Sequence, residues 1–396
     1  MDELNRKRTG MLLKCCMCIG GAMGMVSNCM GIYFSSLSEA LGVGVGRISV
    51  IVTLVSLANA FFAPVFVKLQ KHFRLNHLMG FGIVLCMISY VLMSFAGNVW
   101  TLYFCGLLSG VGMCFYAALP VTQVLRDWYG DKNGTAVGAA LAFSGVFGAI
   151  MNPVLSHIIA GMSYQTALRL MAVFLGIAVL PCALTIHMKD EANTAIKTTV
   201  QGYEPVSPKV PMPIIVVLYS TCVLFCMLCG MNQHFSALAV SEGYSLEASA
   251  TVLTASMIGN IIFKLVYGYA SDRIDPVYVS VAWAVFGGIG TALVLLFAGN
   301  GVLIRAGAGL YGAFFSLSTV ALTMLVQMVA KDRYAEVYSK MVIFTSSAYA
   351  LSVSLYGMIY DLFGSYKPAL VLILVITIVS IVLAMTLDRK VKQARA

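Results

Sequence analysis

Twelve stretches of about 20 mostly apolar residues most strongly constrain what this chain can fold into. A helix rises about 1.5 Å per residue, so it needs about 20 apolar residues to cross a hydrocarbon layer roughly 30 Å thick. The predicted spans are 11–36, 47–67, 78–97, 99–124, 135–160, 166–187, 211–236, 247–269, 276–297, 302–327, 338–360 and 366–387. Charged residues make up 10% of the 396 residues, against about 25% in soluble domains. We therefore expect an all-α membrane protein with twelve transmembrane helices.

The lysine and arginine residues predict the orientation, because basic residues are retained on the cytoplasmic side of a membrane. Of the 25 basic residues, 20 fall on one side of this topology. Arg47, Arg169, Arg305 and Lys367 fall on the other side, and Lys264 lies within the eighth span. Both termini are therefore expected in the cytoplasm. Topology explains the net charge of +9, whereas nucleic-acid binding would need these charges on one folded face, so we expect no nucleic-acid partner.

The apolar run after the leader MDELNRKRTG is similar to a signal sequence, but no small-residue cleavage site follows it. We expect it to be the first permanent helix. The eleven cysteines lie mostly within the predicted spans and show no metal-ligand spacing. The sequence therefore predicts neither a metal site nor a cofactor.

A polar segment at 188–210 divides the chain into two halves of six spans each, 1–187 and 211–396. Four prolines between 205 and 213 prevent a continuous helix there. The segment at 131–149 corresponds in position to the segment at 332–350, since each follows the fourth span of its half and opens the fifth. Such repeats are common in transporters, so we expect two pseudo-symmetric six-helix bundles joined by a cytoplasmic linker.

The twelve spans, the six-plus-six division and the turn GYASDR after the eighth span resemble the major facilitator superfamily. The segment WYGDKNGTAVG at 128–138 is similar to the oxalate/formate antiporter and monocarboxylate porter branch, although Asn133 and Thr135 depart from its pattern. The resemblance implies a secondary transporter that works by rocking of two bundles, as a single chain. We expect it in a bacterial inner membrane, as a multi-pass protein and not an enzyme.

Lys264 carries the main hypothesis about the substrate. It lies about 12 Å along the helix from Asp272, which marks the predicted cytoplasmic end of the eighth span. An embedded charge costs at least about 2.5 kcal/mol and usually marks a substrate path. Lys264 is therefore expected to attract an anion in a central cavity. The alternative is that its side chain extends along the helix to the membrane surface.

The resemblance places Lys264 where the monocarboxylate and oxalate branch carries a substrate-binding arginine. It also places Asn260 where monocarboxylate porters have an aspartate, and Asn28 roughly where some have a lysine. Polar residues at Tyr116, Gln233 and Ser347 are further candidates for the cavity. Each of them alone is more often a hydrogen-bond partner between helices.

Proton-driven carriers usually need an embedded group that titrates. All sixteen carboxylates lie in loops or at helix ends, so His157, His234 and Lys264 itself are the groups available for this role. A structural role is the alternative for both histidines. Asp361 approaches the bundle most closely from the outer side. Asp272 and Arg273, with Lys68 as the first-half counterpart of the arginine, are expected to contribute to a cytoplasmic gate.

The sequence thus favours a transporter of a small organic anion, most plausibly a monocarboxylate such as lactate, pyruvate, formate or an oxalate-like compound. It would work as an exchanger or as a proton–anion symporter. An alternative is an exporter of a neutral or amphipathic compound, in which Lys264 is structural. A remote alternative is an intramembrane enzyme or sensor, although the sequence shows no embedded acid pair or metal-ligand cluster.

Overall fold

A computed structural model describes residues 2–130, 133–189, 210–271, 273–330 and 333–395. It contains twelve helical spans that are long and apolar enough to cross a membrane, which confirms the predicted all-helical fold. The spans are α1 (Asn5–Leu41), α2 (Val45–Leu69), α3 (Leu75–Met93), α4 (Val99–Tyr129), α5 (Ala136–Gly161), α6 (Tyr164–Leu184), α7 (Met212–Ser241), α8 (Leu246–Ser271), α9 (Pro276–Phe297), α10 (Gly301–Ala330), α11 (Glu336–Phe363) and α12 (Lys367–Ala394). Each agrees with a predicted span to within a few residues at most ends.

Large apolar side chains are exposed in the middle of several spans. Ile177 in α6 is 74% exposed, Ile262 in α8 is 53% exposed and Val375 in α12 is 51% exposed. A soluble protein seldom exposes extensive apolar surface, whereas a membrane protein presents such side chains to lipid. The exposed apolar residues thus agree with the twelve spans.

The chain separates into two compact units. The first comprises Met1–Val43 and Val50–Tyr203, and the second comprises Gly44–Ser49 and Glu204–Ala396. Val45 and Leu246, which open α2 and α8, are 201 residues apart, and so are Leu75 and Pro276, which open α3 and α9. The same spacing separates the segments 131–149 and 332–350 that the sequence relates. Each unit therefore follows the same plan of six spans.

Five spans are interrupted within the described residues, and hydropathy alone does not predict these interruptions. The interruptions are a π-helix (Gly20–Ser27) and a 3-10 turn (Met30–Tyr33) in α1, a break at Ala117 in α4, a π-helix (Leu175–Val179) in α6, and a 3-10 turn (Gly230–His234) in α7. A fifth span, α10, carries a π-helix at Leu317–Ala321. Interrupted helices expose backbone groups that need other partners, and they recur at functional sites.

The breaks in α1 and α7 correspond within the repeat. The α-helix resumes at Phe34 in α1 and at Phe235 in α7, again 201 residues apart. Both stretches end at a glycine with a positive φ angle, 62° at Gly42 and 90° at Gly243. Glycine adopts this conformation without the steric cost of a Cβ atom. The two units therefore turn from their first span into their second in the same way.

Some predicted features fall outside the described residues. Most of the linker predicted at 188–210 does so, as does Asp272 of the predicted gate. The bounds of the linker and the orientation of the termini stay predictions.

Candidate substrate site in the second unit

The break in α7 is stabilised by two tyrosines from neighbouring spans. The first helix of α7 ends at Met227, and the 3-10 turn begins at Gly230. The carbonyl oxygen of Met227 accepts a hydrogen bond from the Tyr356 hydroxyl of α11 at 3.0 Å, and that of Leu228 accepts one from the Tyr311 hydroxyl of α10. Carbonyl groups that lose their helical partners inside a bilayer must be satisfied by protein. The two hydroxyls do this for residues 228–234, which we call the broken segment.

His234 fastens the end of the broken segment to α11 and to the loop before α12. Its Nε2 lies 2.8 Å from the Val353 carbonyl oxygen, and its Nδ1 lies 3.2 Å from the Tyr366 hydroxyl. Burial, together with the neighbouring Tyr360 and Asp361, raises the pKa of the Tyr366 hydroxyl well above its usual value. Because the Val353 carbonyl oxygen can only accept a hydrogen bond, the geometry assigns a proton to Nε2. These bonds favour the structural alternative for His234, and a substrate or proton role stays a prediction.

Gln233, the preceding residue, is directed to α11. Its Nε2 donates to the Tyr349 hydroxyl at 3.1 Å, and the side chain is fully buried. Tyr349 lies within electrostatic range of the Cys229 thiol at the start of the break. Ser347 is half-buried two residues earlier on α11. Residues two apart on a helix point to different sides, so Ser347 does not share the face on which Tyr349 meets Gln233, and its role in binding stays a prediction.

Three polar residues form a stripe on one face of α8. Ser256, Asn260 and Lys264 are spaced by four residues, which puts successive Cα atoms about 6 Å apart along the helix. The Ser256 hydroxyl donates to the Asn232 Oδ1 atom of the broken segment at 2.7 Å. Ser256, at the N-terminal end of the stripe, therefore joins α8 to the broken segment of α7.

Asn260 is buried, yet its Oδ1 atom has no hydrogen-bond partner among the described residues. The same holds for the Nδ2 atom of Asn232 and for the hydroxyl of Ser316 in α10. Buried polar atoms in native proteins are nearly always paired with protein or ordered water. These three atoms offer hydrogen bonds to water or to a ligand.

Lys264 ends the stripe, and no carboxylate among the described residues pairs with it. Its Nζ atom lies 5.9 Å from the centre of the Phe315 ring, and its charge is within electrostatic range of the Cys229 thiol. The side chain is half-buried. Among the described residues, no Asp or Glu oxygen lies within 4.0 Å of its Nζ. Because an embedded charge is costly without a partner, the ammonium would stabilise an anion bound beside it.

Close packing of α8 against α10 determines which residues of α10 lie beside Lys264. A Cβ atom on Gly259 would overlap the carbonyl oxygen of Gly309, and one on Gly312 would lie 2.5 Å from the backbone nitrogen of Asn260. Ser316 follows Gly312 by one turn, just as Lys264 follows Asn260. The glycines thereby bring Phe315 and Ser316 to the level of the lysine.

The first unit holds the other two predicted cavity residues. The Asn28 amide nitrogen donates to the Ser144 carbonyl oxygen of α5 at 3.2 Å. Tyr116 is fully buried in the unit's interior, within electrostatic range of Cys18, Cys86 and Tyr90. The Asn28 hydrogen bond joins α1 to α5. A role in binding for either residue stays a prediction.

The two units repeat with a spacing of 201 residues, so Lys264 corresponds to Ala63 in the first unit. Asn260 corresponds in the same way to Asn59, which is half-buried in α2. The embedded charge therefore belongs to the second unit alone, whereas the asparagine is shared. Four polar residues described above were not predicted from the sequence, namely Asn59, Asn232, Tyr311 and Ser316. The 201-residue repeat was sufficient to identify Asn59, but the other three require the contacts between helices.

Two of the predicted gate residues, Lys68 and Arg273, and the second histidine lie within the described residues. Lys68 is exposed in the last turn of α2. The Arg273 guanidinium lies 3.7 Å from the centre of the Tyr269 ring and donates to that residue's carbonyl oxygen at 3.1 Å. His157 is exposed on α5. A gate that includes Asp272, Arg273 and Lys68 stays a prediction.

Comparison with known proteins places the chain among transporters. A family model described as Major Facilitator Superfamily matches residues 16–252 and 222–396. The chain is 24% identical to the probable transporter MCH2 of Saccharomyces cerevisiae over 233 residues, which cover 56% of this chain and 47% of the relative. It is 23% identical to monocarboxylate transporter 12 of Homo sapiens over 266 residues, which cover 63% of this chain and 50% of the relative. The matched regions thus span about half the length of these relatives.

A solved structure of a mutant nucleoside transporter NupG has the same fold. It aligns with a TM-score of 0.80 at 12% identity and covers 95% of this chain and 99% of that one. At that identity the likeness concerns the fold alone. Together, these matches confirm the predicted resemblance in fold and in its monocarboxylate branch.

Proposed function

This chain belongs to the Major Facilitator Superfamily. We therefore propose that it transports a small organic anion whose carboxylate binds at Lys264. The observation that carries the proposal is the embedded ammonium of Lys264, which has no carboxylate within ion-pair distance among the described residues. A substrate carboxylate would supply the missing negative charge. The relative named monocarboxylate transporter 12 supports the same class of substrate.

The chemistry of lysine limits what the site recognises. A guanidinium binds both oxygens of a carboxylate in a fixed fork, whereas an ammonium is a compact, strongly hydrated point charge. One such charge suits one carboxylate, so we propose a monocarboxylate such as lactate, pyruvate or formate. The buried polar atoms of Asn260 and Ser316 are available to bind the neutral part of such a substrate.

The proposed cycle is alternating access, in which the halves 1–187 and 211–396 rock about the site. Charge balance follows either from exchange of one anion for another or from cotransport with a proton. We propose that the chain works as a monomer. The bacterial inner membrane stays a prediction, and the named relatives in yeast and human are eukaryotic.

Counterflow in proteoliposomes tests this function. Vesicles are loaded with an unlabelled compound, and uptake of the same labelled compound is measured for lactate, pyruvate, formate, oxalate, a neutral amino acid and uridine. We expect at least one monocarboxylate to give saturable counterflow, while the neutral compounds give none. Counterflow of neutral compounds alone would contradict the proposal and would favour a transporter in which Lys264 is structural.

A further inference from the structure

Three buried polar atoms near Lys264 have no hydrogen-bond partner among the described residues. They are the Oδ1 atom of Asn260, the Nδ2 atom of Asn232 and the hydroxyl of Ser316. Each of these side chains is at most 2% exposed, and all of them belong to the second unit. Because buried polar groups are costly to leave unpaired, three of them in one region indicate that a polar partner binds there.

Asn260 and Ser316 lie closest to the ammonium. Asn260 is one turn before Lys264 on α8, so their Cα atoms are about 6 Å apart. A Cβ atom on Gly312 of α10 would lie 2.5 Å from the Asn260 backbone nitrogen. Ser316 follows Gly312 by one turn and therefore lies at the level of Lys264, as does Phe315, whose ring centre is 5.9 Å from the lysine Nζ. A ligand whose carboxylate binds the ammonium would have both polar groups within about one helical turn.

The helix α10 is distorted at the same point. A π-helix begins at Leu317, directly after Ser316. The Cys229 thiol of the broken segment donates to the Phe314 carbonyl oxygen at 3.3 Å, which joins α10 to α7 here. Single π-helical turns inside α-helices recur at functional sites. The distortion thus coincides with the unpartnered hydroxyl.

Hydroxyl groups suit these atoms better than apolar groups do. A hydroxyl both donates and accepts, so it can pair with either atom of an asparagine amide and with a serine hydroxyl. A methylene group pairs with neither. We propose that the site selects hydroxylated monocarboxylates over unsubstituted ones of the same length, with Asn260 and Ser316 binding the hydroxyls. The inference rests on the proposed function and adds the class of substrate to it.

Asn232 extends the polar surface away from Lys264. Its Oδ1 atom accepts from the Ser256 hydroxyl at 2.7 Å, and Ser256 is two turns, or about 12 Å, from Lys264 along α8. The unpartnered Nδ2 atom belongs to the same amide. A longer acid with further hydroxyls would therefore meet a third polar group at this end of the stripe.

Three acids with one three-carbon skeleton test the selection. Propionate, lactate and glycerate carry no, one and two hydroxyls, and lactate and glycerate are used with matched configuration at C2. Each competes, unlabelled, with the labelled monocarboxylate that gives the largest counterflow in proteoliposomes, and the concentration that halves its uptake is measured. We expect this concentration to fall about two- to tenfold with each added hydroxyl, the range that one neutral hydrogen bond supports.

Variants assign the selection to the two residues. Asn260→Leu and Ser316→Ala each remove one unpartnered polar group, and each should bring the ratio of the propionate and glycerate half-inhibitory concentrations closer to one. Thr291→Val is the control, because it removes a buried hydroxyl of α9 that donates within its own helix, to the Gly287 carbonyl oxygen at 2.9 Å. Its ratio should equal that of the parent. The Tm of each variant is measured to check its folding.

The outcomes separate this inference from the proposed function. Equal half-inhibitory concentrations for the three acids in the parent would overturn the inference alone, and water would then be the partner of the buried atoms. A preference for hydroxylated acids that survives in both Asn260→Leu and Ser316→Ala would also overturn it, because other residues would then bind the hydroxyls. Counterflow by no monocarboxylate at all would overturn the proposed function as well.

Discussion

Replacing Lys264 with glutamine should reduce carboxylate counterflow about 10- to 100-fold while leaving the protein folded. Charge-assisted hydrogen bonds contribute about 1.5–3 kcal/mol, and this is the interaction that the substitution removes. Because Lys264 makes no ion pair with a described carboxylate, glutamine leaves no buried partner charge behind. Removing a costly embedded charge should also keep or raise the melting temperature. The measurements are initial counterflow rates and the Tm of the purified protein.

Lys264→Arg is the matched variant, because it keeps the positive charge and adds a second donor direction for a carboxylate. It should retain counterflow and bind a dicarboxylate such as oxalate better than the parent does. If Lys264→Gln instead transports the anion at the parental rate, the lysine side chain extends to the membrane surface and has no role in binding.

Gly259→Ala should destabilise the second unit by about 1–3 kcal/mol, the usual cost of overpacking. The added methyl group would overlap the backbone carbonyl of Gly309, which cannot rotate away as a side chain can. The helices α8 and α10 would have to separate, and Phe315 would move from Lys264. We expect a Tm several degrees lower and a weaker counterflow signal per folded molecule.

Gly268→Ala on the same helix is the control for this effect. A Cβ atom there meets no other atom within 4 Å, so the variant gains the same helix propensity without any collision. Its Tm should equal or exceed that of the parent. Equal Tm values for Gly259→Ala and Gly268→Ala would show that the contact between α8 and α10 is not close in the folded protein.

Hydropathy predicted the twelve spans because each span must bury its backbone polar groups within lipid, and only a long apolar helix achieves this. The repeat was visible for the same reason, since residues 131–149 and 332–350 open equivalent spans. The sequence also made Lys264 a candidate, because a charged residue inside an apolar span is easily recognised; its role in binding stays a prediction.

The interruptions were not predicted, because the residues that permit them lie elsewhere in the chain. The break at Leu228 depends on the hydroxyls of Tyr311 and Tyr356, which hydropathy treats as ordinary aromatic residues of α10 and α11. The sequence contains these residue types, but only the fold brings them into contact.

Titration calorimetry of purified protein measures whether Lys264 binds the substrate carboxylate. The ligand is the monocarboxylate that gives the largest counterflow, and the samples are the parent and Lys264→Gln at equal concentration. We predict a saturable heat of binding for the parent and at least a tenfold higher Kd for Lys264→Gln. The Tm of each protein is measured to check that both are folded. Equal Kd values for the two proteins would contradict the claim that Lys264 binds the substrate carboxylate.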